Sequence, residues 1–132
     1  MKRCTILVMI LLAVMANGQV KGPVMFFPVG KLPKGLSDFQ CFGLNPVEGK
    51  PSKVEGWVMM DRENPNESTV TTKTLSLSHG RLRFTTAARN GISFRFEGKL
   101  TGSKEAEGLV TKLRSGRKTA QGRIRFSAGS GG

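Results

Sequence analysis

The sequence predicts an all-β fold: a single antiparallel meander that curls into a small up-and-down β-barrel or a strongly curved sheet. Three observations predict it. Short segments in which apolar and polar residues alternate fill the chain from residue 54 onward. The connections between them are rich in turn-forming residues and too short for a parallel crossover. The composition includes 17 glycines and eight phenylalanines, as expected for many strands joined by tight turns.

The N-terminus predicts a secretory signal peptide over residues 1–18. A basic three-residue start (MKR) precedes the apolar run CTILVMILLAVMA, which gives way to small and polar residues. This run is shorter than the roughly 20 apolar residues that a membrane-spanning helix needs. Cleavage after Gly18 and cleavage after Ala16 both fit the small-residue rule, and we favour Gly18. We therefore expect an exported protein of bacterial type, periplasmic or extracellular after cleavage.

Residues 19–53 contain five of the six prolines, which limits regular structure there. Residues 24–27 form a candidate edge strand between two of these prolines. One helical turn is predicted over residues 39–42, capped by the Ser-Asp pair before it and ended by the glycine after it. Because the segment is rich in Phe and Leu, we expect it to pack on the domain as an arm or a lid.

Six strands follow, and they place the meander domain at residues 54–127. Their predicted bounds are residues 54–60, 68–78, 81–86, 92–101, 107–113 and 119–127. The fourth has the clearest period of two, with Phe94 and Phe96 on one face and Arg95 and Glu97 on the other.

Glycines mark turns and bends in the predicted meander. Asn90-Gly91 is a strong hairpin signal because both residues adopt positive φ easily. Gly98 and Gly122 fall at inward positions, where a strongly curved sheet bends. Residues 128–132 are small and polar, and we expect them to form a flexible tail.

The meander contains a spaced run of apolar residues and glycines: Leu75-x-Leu77, Gly80-x-Leu82-x-Phe84, Phe94-x-Phe96-x-Gly98-x-Leu100, Gly108-x-Val110 and Phe126. This run resembles the lipocalin-like β-meander of small secreted bacterial proteins. Similar meanders also precede the catalytic domain of some secreted α/β-hydrolases. The resemblance covers residues 54–127 and implies a barrel-like fold and export.

No residue cluster predicts catalysis, a cofactor or a metal site, so we expect a protein that is not an enzyme. His79 is the one histidine, which excludes a multi-histidine metal site. Its neighbour Ser78 is a poor nucleophile candidate, because adjacent strand residues point to opposite faces. The oxygen-rich loop around Asp61 lacks the ligand spacing of a calcium loop. Cys41 is the one cysteine left after cleavage, and its apolar neighbours predict a buried thiol without a disulfide partner.

Positive charge is concentrated in the C-terminal half. The formal net charge is +12, and the stretch from Arg81 to Arg125 contains twelve basic residues and three acidic ones. Six of the basic residues occupy water-facing strand positions: Arg81, Arg83, Arg95, Lys99, Arg123 and Arg125. If their strands are neighbours, these side chains form a cationic surface that fits an anionic envelope polymer or lipid head groups. Nucleic acid is a weaker candidate, because outward aromatic residues for base stacking are missing. A merely solvated face is the plain alternative.

Inward phenylalanines give the other functional hypothesis. They predict a small apolar pocket inside the curled sheet, lined by Phe84, Phe94, Phe96 and Phe126, with Trp57 at its mouth. The alternative is that these rings simply fill the core, as they do in small barrels. The first function we expect is therefore a non-catalytic exported module that binds a small apolar ligand. The second is an envelope-associated interaction protein that uses its basic surface.

Overall fold

The computed structural model describes Val20, residues 22–102 and residues 104–129. The predicted signal peptide and the last three residues of the predicted tail lie outside the described residues. The described chain contains eight strands and one short helix. In chain order they are β1 (Val24–Pro28), β2 (Cys41–Val47), β3 (Lys50–Met59), α1 (Pro65–Ser68), β4 (Thr69–Ser78), β5 (Arg81–Thr86), β6 (Ile92–Gly102), β7 (Glu105–Arg114) and β8 (Arg117–Ala128).

The eight strands form one closed antiparallel barrel in which each strand pairs with the next along the chain. β1 also pairs with β8 through Phe26↔Ala128 and Pro28↔Phe126, and this pairing closes the sheet. The all-β meander predicted from the sequence is therefore confirmed, and it takes the barrel form rather than that of an open curved sheet. Ala128 belongs to β8, so the barrel continues into the first residue of the segment expected to be a flexible tail.

Alternation decides which side chains face the core. In β5, Leu82 and Phe84 are buried while Arg81 and Arg83 are exposed. β6 repeats the pattern with Phe94 and Phe96 inside. A strand with a period of two presents one face to the core and the other to water. The inward and outward positions predicted for these strands are thus confirmed.

Three of the hairpins turn through a residue pair in the left-handed conformation. The pairs are His79-Gly80, Asn90-Gly91 and Ser115-Gly116, with φ between 52° and 81°. Positive φ at both central residues is the geometry of a type I′ turn, whose twist matches that of the flanking strands. These turns join β4 to β5, β5 to β6 and β7 to β8.

The N-terminal segment forms barrel strands and is not a separate arm. β1 pairs on both sides, so it is not an edge strand. The helical turn expected over residues 39–42 is wrong, because β2 begins at Cys41 and pairs with β3. All four residues from Cys41 to Leu44 are buried. A strand buried on both faces lacks the alternation by which strands are recognised in a sequence.

Residues 29–40, between β1 and β2, form what we call the lid segment. Its Leu36 and Phe39 are fully buried in the core cluster. Its Pro33 lies against Gly122 of β8, where a Cβ atom would come within 2.9 Å of the proline ring. The inward glycine predicted to mark a bend therefore makes room for the lid. Residues 19–53 were expected to pack on the domain as an arm or a lid, and residues 29–40 are the part of them that covers the barrel.

Aromatic rings fill the barrel interior. Phe84 and Phe96 are stacked with their centroids 5.2 Å apart. Phe42 meets Phe126 edge-on at 4.9 Å. From the lid segment, Phe39 contacts Phe42, Phe94 and Phe126 at 5.2 to 6.1 Å. Ring centroids 4.5 to 7 Å apart are at contact distance, so these rings form one packed cluster.

Candidate functional site

The six predicted cationic residues lie exposed on the outer surface of β5, β6 and β8. We call this surface, with the β7 residues between its strands, the basic face. Arg81 is directly opposite Lys99 in the β5–β6 pair, and Thr85 is opposite Arg95. Because β5 and β6 are direct neighbours, four of the six cations share one two-stranded area.

β7 separates this area from β8. Glu107 of β7 is opposite Lys99 on one side and Arg125 on the other. In the next row, Leu109 stands between Glu97 and Arg123. The strand predicted over residues 107–113 has no clear alternation in the sequence, so Glu107 was not predicted to lie among the cations. The basic face is therefore a mixed surface, with six cations and two carboxylates (Glu97 and Glu107).

A groove of about 860 Å³ runs across the basic face. It is lined by Ser76, Ser78, His79, Arg81, Arg83, Glu97, Gly98, Lys99, Glu107 and Arg123. A second groove of about 270 Å³ shares Ser76, Arg83 and Glu97 with the first and extends to Arg95. Five of the six predicted cations thus line these two adjoining grooves. Sequence analysis missed the serines, although alternation in β4 places them beside the arginines of β5.

Most of the cations have no carboxylate partner. The Nζ atom of Lys99 lies 3.6 Å from Oε1 of Glu107, and both side chains are well exposed. Within the part of the chain that the structure describes, this is the one ion pair on the basic face. Arg83 faces Glu97 in register, yet their charged groups are more than 4.0 Å apart. Unpaired guanidinium groups are available for bidentate contacts with phosphate, sulfate or carboxylate.

Ser78 and His79 stand at one end of the groove and are hydrogen-bonded, with 3.0 Å between Ser78 Oγ and His79 Nδ1. The expectation that adjacent residues would point apart is wrong here. His79 has a φ of 52° and lies in the turn rather than in the strand, so the alternation rule does not apply to it. The pair is exposed and has no carboxylate bonded to the imidazole among the described residues. It supplies polar groups to the groove without completing a catalytic triad.

The four predicted pocket phenylalanines do come together, as part of the packed aromatic cluster. Phe84, Phe94, Phe96 and Phe126 are each at most 2% exposed. Phe42 of β2 and Phe39 of the lid segment, which were not predicted to be there, occupy the space between them. The rings thus fill the barrel in the described conformation.

Trp57 lies on the outside of the barrel and not at the mouth of an internal pocket. It is opposite Gly43 of β2, and its indole ring lies so close to that glycine that a Cβ atom there would overlap it. Phe27 is a second outward aromatic, with Arg62 above its ring. The expectation that outward aromatics are missing is therefore wrong for β1 and β3. Trp57 lies away from the basic face, whereas Phe27 is directly opposite Ser127 of β8.

Asp61, in the loop after β3, is held by local hydrogen bonds. It accepts one from the side-chain amide of Asn64 and one from the backbone N–H of Glu63, at 3.0 Å each. These two bonds, that of Asn64 first, lower the pKa of Asp61 below its ordinary value. They stabilise the ionised carboxylate of a solvated loop.

Three further observations concern a membrane-spanning helix, a metal site and similarity to known proteins. Among the described residues, no helix has the length and apolar character needed to cross a membrane. Within the same residues, no group of three His, Cys, Asp or Glu side chains is close enough to share a metal ion. No protein-family model, curated protein or solved structure matches the chain. The lipocalin-like resemblance stays a prediction.

Proposed function

We propose that this protein is an exported, non-catalytic binding module whose basic face contacts an anionic polymer. The observation that supports the proposal best is the groove. Arg81, Arg83, Lys99 and Arg123 line one depression, and only Lys99 has a carboxylate partner there. The groove has four cations against two carboxylates, and its net positive charge attracts anionic ligands.

The shape of the basic face favours a polymer over a membrane. A concave groove encloses a thread, whereas a flat bilayer would touch only its rims. Nucleic acid is less well matched, because Trp57 lies on β3 and the ring of Phe27, on β1 beside β8, already packs against Arg62. An extended anionic chain is therefore the ligand class that we propose.

Native mass spectrometry of the mature protein at low and then raised salt tests the proposal. The probes are two polyanions, an oligogalacturonate and a polyphosphate of equal charge number. We expect adducts that disappear as the salt concentration rises, because contacts between exposed charges are screened. Absence of polyanion adducts at low salt would contradict the proposal.

Charge-reversal variants locate the contact. The double variant Arg83→Glu/Arg123→Glu changes two exposed cations of the groove. Its matched control is Lys50→Glu/Lys53→Glu, which makes the same charge change at exposed positions of β3. We expect the groove variant to lose at least about tenfold in affinity, since each charge contact contributes up to about 1 kcal/mol at an exposed site. Equal losses in both variants would mean that net charge alone attracts the polymer.

A small apolar ligand inside the barrel is the second candidate, and the lid segment is the observation that favours it. Leu36 and Phe39 enter the core from an irregular segment and not from a strand. A ligand of similar size would take their place if this segment moved outward. An apolar adduct that survives raised salt in the same mass spectra would support this candidate.

A further inference from the structure

Two carboxylates lie within the cationic groove, and neither would help to bind a ligand that carries only negatively charged groups. Glu97 faces Arg83 of β5 and Leu109 of β7, and Glu107 faces Lys99 and Arg125. Both glutamates line the groove. A thread made only of anionic groups, such as polyphosphate, would bring some of its charges close to these carboxylates, where like charges repel.

The same carboxylates suit a ligand that also carries hydroxyl groups. An ionised carboxylate is a pure hydrogen-bond acceptor with room for several donors. Hydrogen bonds to charged groups are about twice as strong as bonds between neutral groups. Ser76 and Ser78 add hydroxyls that both donate and accept, on the β4 side of the groove. Cations, carboxylates and hydroxyls on one surface match a chain whose anionic groups are separated by hydroxyl-bearing units.

Of the two glutamates, Glu97 has the freer carboxylate. Glu107 lies 3.6 Å from the Nζ atom of Lys99 and neutralises it. Glu97 is exposed, and among the described residues no cation lies within 4.0 Å of it. It also lines both grooves. A polymer that occupies both grooves, from Arg123 to Arg95, therefore contacts Glu97.

We infer that the groove selects acidic polysaccharide over polyanions that lack hydroxyl groups, and that Glu97 is the residue that discriminates between them. The inference rests on the proposed function, since it names the ligand class of the same site. Glu97 rejects a phosphate-type chain by repulsion and accepts hydrogen bonds from the hydroxyl groups of a sugar chain.

Glu97→Gln tests the inference with the two probes already named, the oligogalacturonate and the polyphosphate. The variant keeps the size of the side chain and removes its charge. We expect affinity for polyphosphate to rise about fivefold, the equivalent of one exposed charge contact. Affinity for the oligogalacturonate stays level or falls, because the loss of a charged hydrogen-bond acceptor offsets the loss of repulsion. Glu55→Gln is the matched control, since it removes one exposed carboxylate from β3.

The outcome to look for is a change in the ratio of the two affinities. A ratio that shifts at least fivefold toward polyphosphate in Glu97→Gln, and not in Glu55→Gln, supports the inference. If the affinities of Glu97→Gln rise together or stay unchanged, Glu97 does not discriminate and the inference is overturned. If the wild-type protein binds neither probe, the proposed function itself fails, which is a distinct result.

Discussion

Gly98 of β6 lies directly opposite Gly108 of β7, and the two strands leave no room for a side chain at either position. A Cβ atom on Gly98 would come within 2.6 Å of the Cα of Gly108. A Cβ atom on Gly108 would lie 2.7 Å from the carbonyl oxygen of Glu97 and from the ring of Phe96. Glycine within a strand marks a close approach of backbones or a tight bend. Both positions are inward, so the pair lets β6 and β7 approach closely without side chains in the way.

Gly98→Ala is expected to destabilise the barrel by about 1–3 kcal/mol, the usual cost of forcing a methyl group into a packed site. Thermal unfolding followed by circular dichroism measures the change. Gly22→Ala serves as the control, because nothing lies within 4 Å of a Cβ atom there. A Gly98→Ala protein as stable as the control would show that the two strands separate easily and that their close approach at Gly98 does not constrain the barrel.

Trp57 is the only tryptophan in the chain, so its fluorescence reports on one place. Its indole ring lies on Gly43 and is partly buried there. Gly43→Ala places a methyl group where the ring is, and we expect the ring to move into water with a red shift of its emission. Fluorescence spectra of the two folded proteins test this. An unchanged emission maximum would contradict the packing of Trp57 on β2.

The lid segment is joined to β7 by an ion pair of 2.7 Å between Asp38 Oδ2 and Lys112 Nζ. The side chain of Asp38 is 26% exposed and that of Lys112 is 16% exposed. This ion pair is therefore less exposed than the Lys99–Glu107 pair, the other one in the described chain. Asp38→Asn is expected to speed hydrogen exchange at the amides of Leu36 and Phe39 by about fivefold, the effect of losing roughly 1 kcal/mol.

Lys99→Gln is the control for that measurement, because it removes the more exposed ion pair. We expect it to leave exchange in the lid segment unchanged. If the amides of Leu36 and Phe39 exchange as slowly in Asp38→Asn as in the wild-type protein, the lid segment is held by the burial of Leu36 and Phe39 alone.

Cys41 is fully buried, and burial raises the pKa of its thiol above the ordinary 9.0, while the charge of Arg62 lowers it by a smaller amount. The thiolate is the nucleophile, so we expect iodoacetamide at pH 8 to react at least about tenfold more slowly with the folded protein than with the protein in urea. A raised pKa in the folded state also means that stability is lost as the pH rises above 9.0. Cys41→Ala is expected to remove this pH dependence, and reaction at equal rates in both states would contradict the burial.

Strands with one solvent-exposed face were predictable from the sequence, whereas β2, which is buried on both faces, was not. β5 and β6 alternate because core and solvent lie on opposite sides of them. At β2, Phe42 faces the core while Trp57 covers the outer surface at Gly43, so both faces are buried and the alternation disappears. The covering residue comes from another strand, 14 positions along the chain, and only the register between β2 and β3 makes this visible.

The candidate site was predicted only in part, again because some of its residues are brought together by strand pairing. Alternation placed each cation on the outside, and the predicted meander placed β7 between β6 and β8, but the pattern of β7 did not tell which of its residues face water. The carboxylate of Glu107 enters the site through the pairing of β7 with β6 and β8. His79 escaped prediction because its left-handed backbone interrupts the alternation at the turn.

The central claim is that an anionic polymer binds outside the barrel, in the groove of the basic face. Amide chemical shifts of the ¹⁵N-labelled mature protein, recorded while the oligogalacturonate is added at low salt, test it most directly. We expect the largest changes at residues 76–83, 95–99, 107 and 123–125, which surround the groove, and their loss in Arg83→Glu/Arg123→Glu. Changes concentrated in the lid segment and among the buried phenylalanines, or spread evenly over β1 to β3, would contradict the claim.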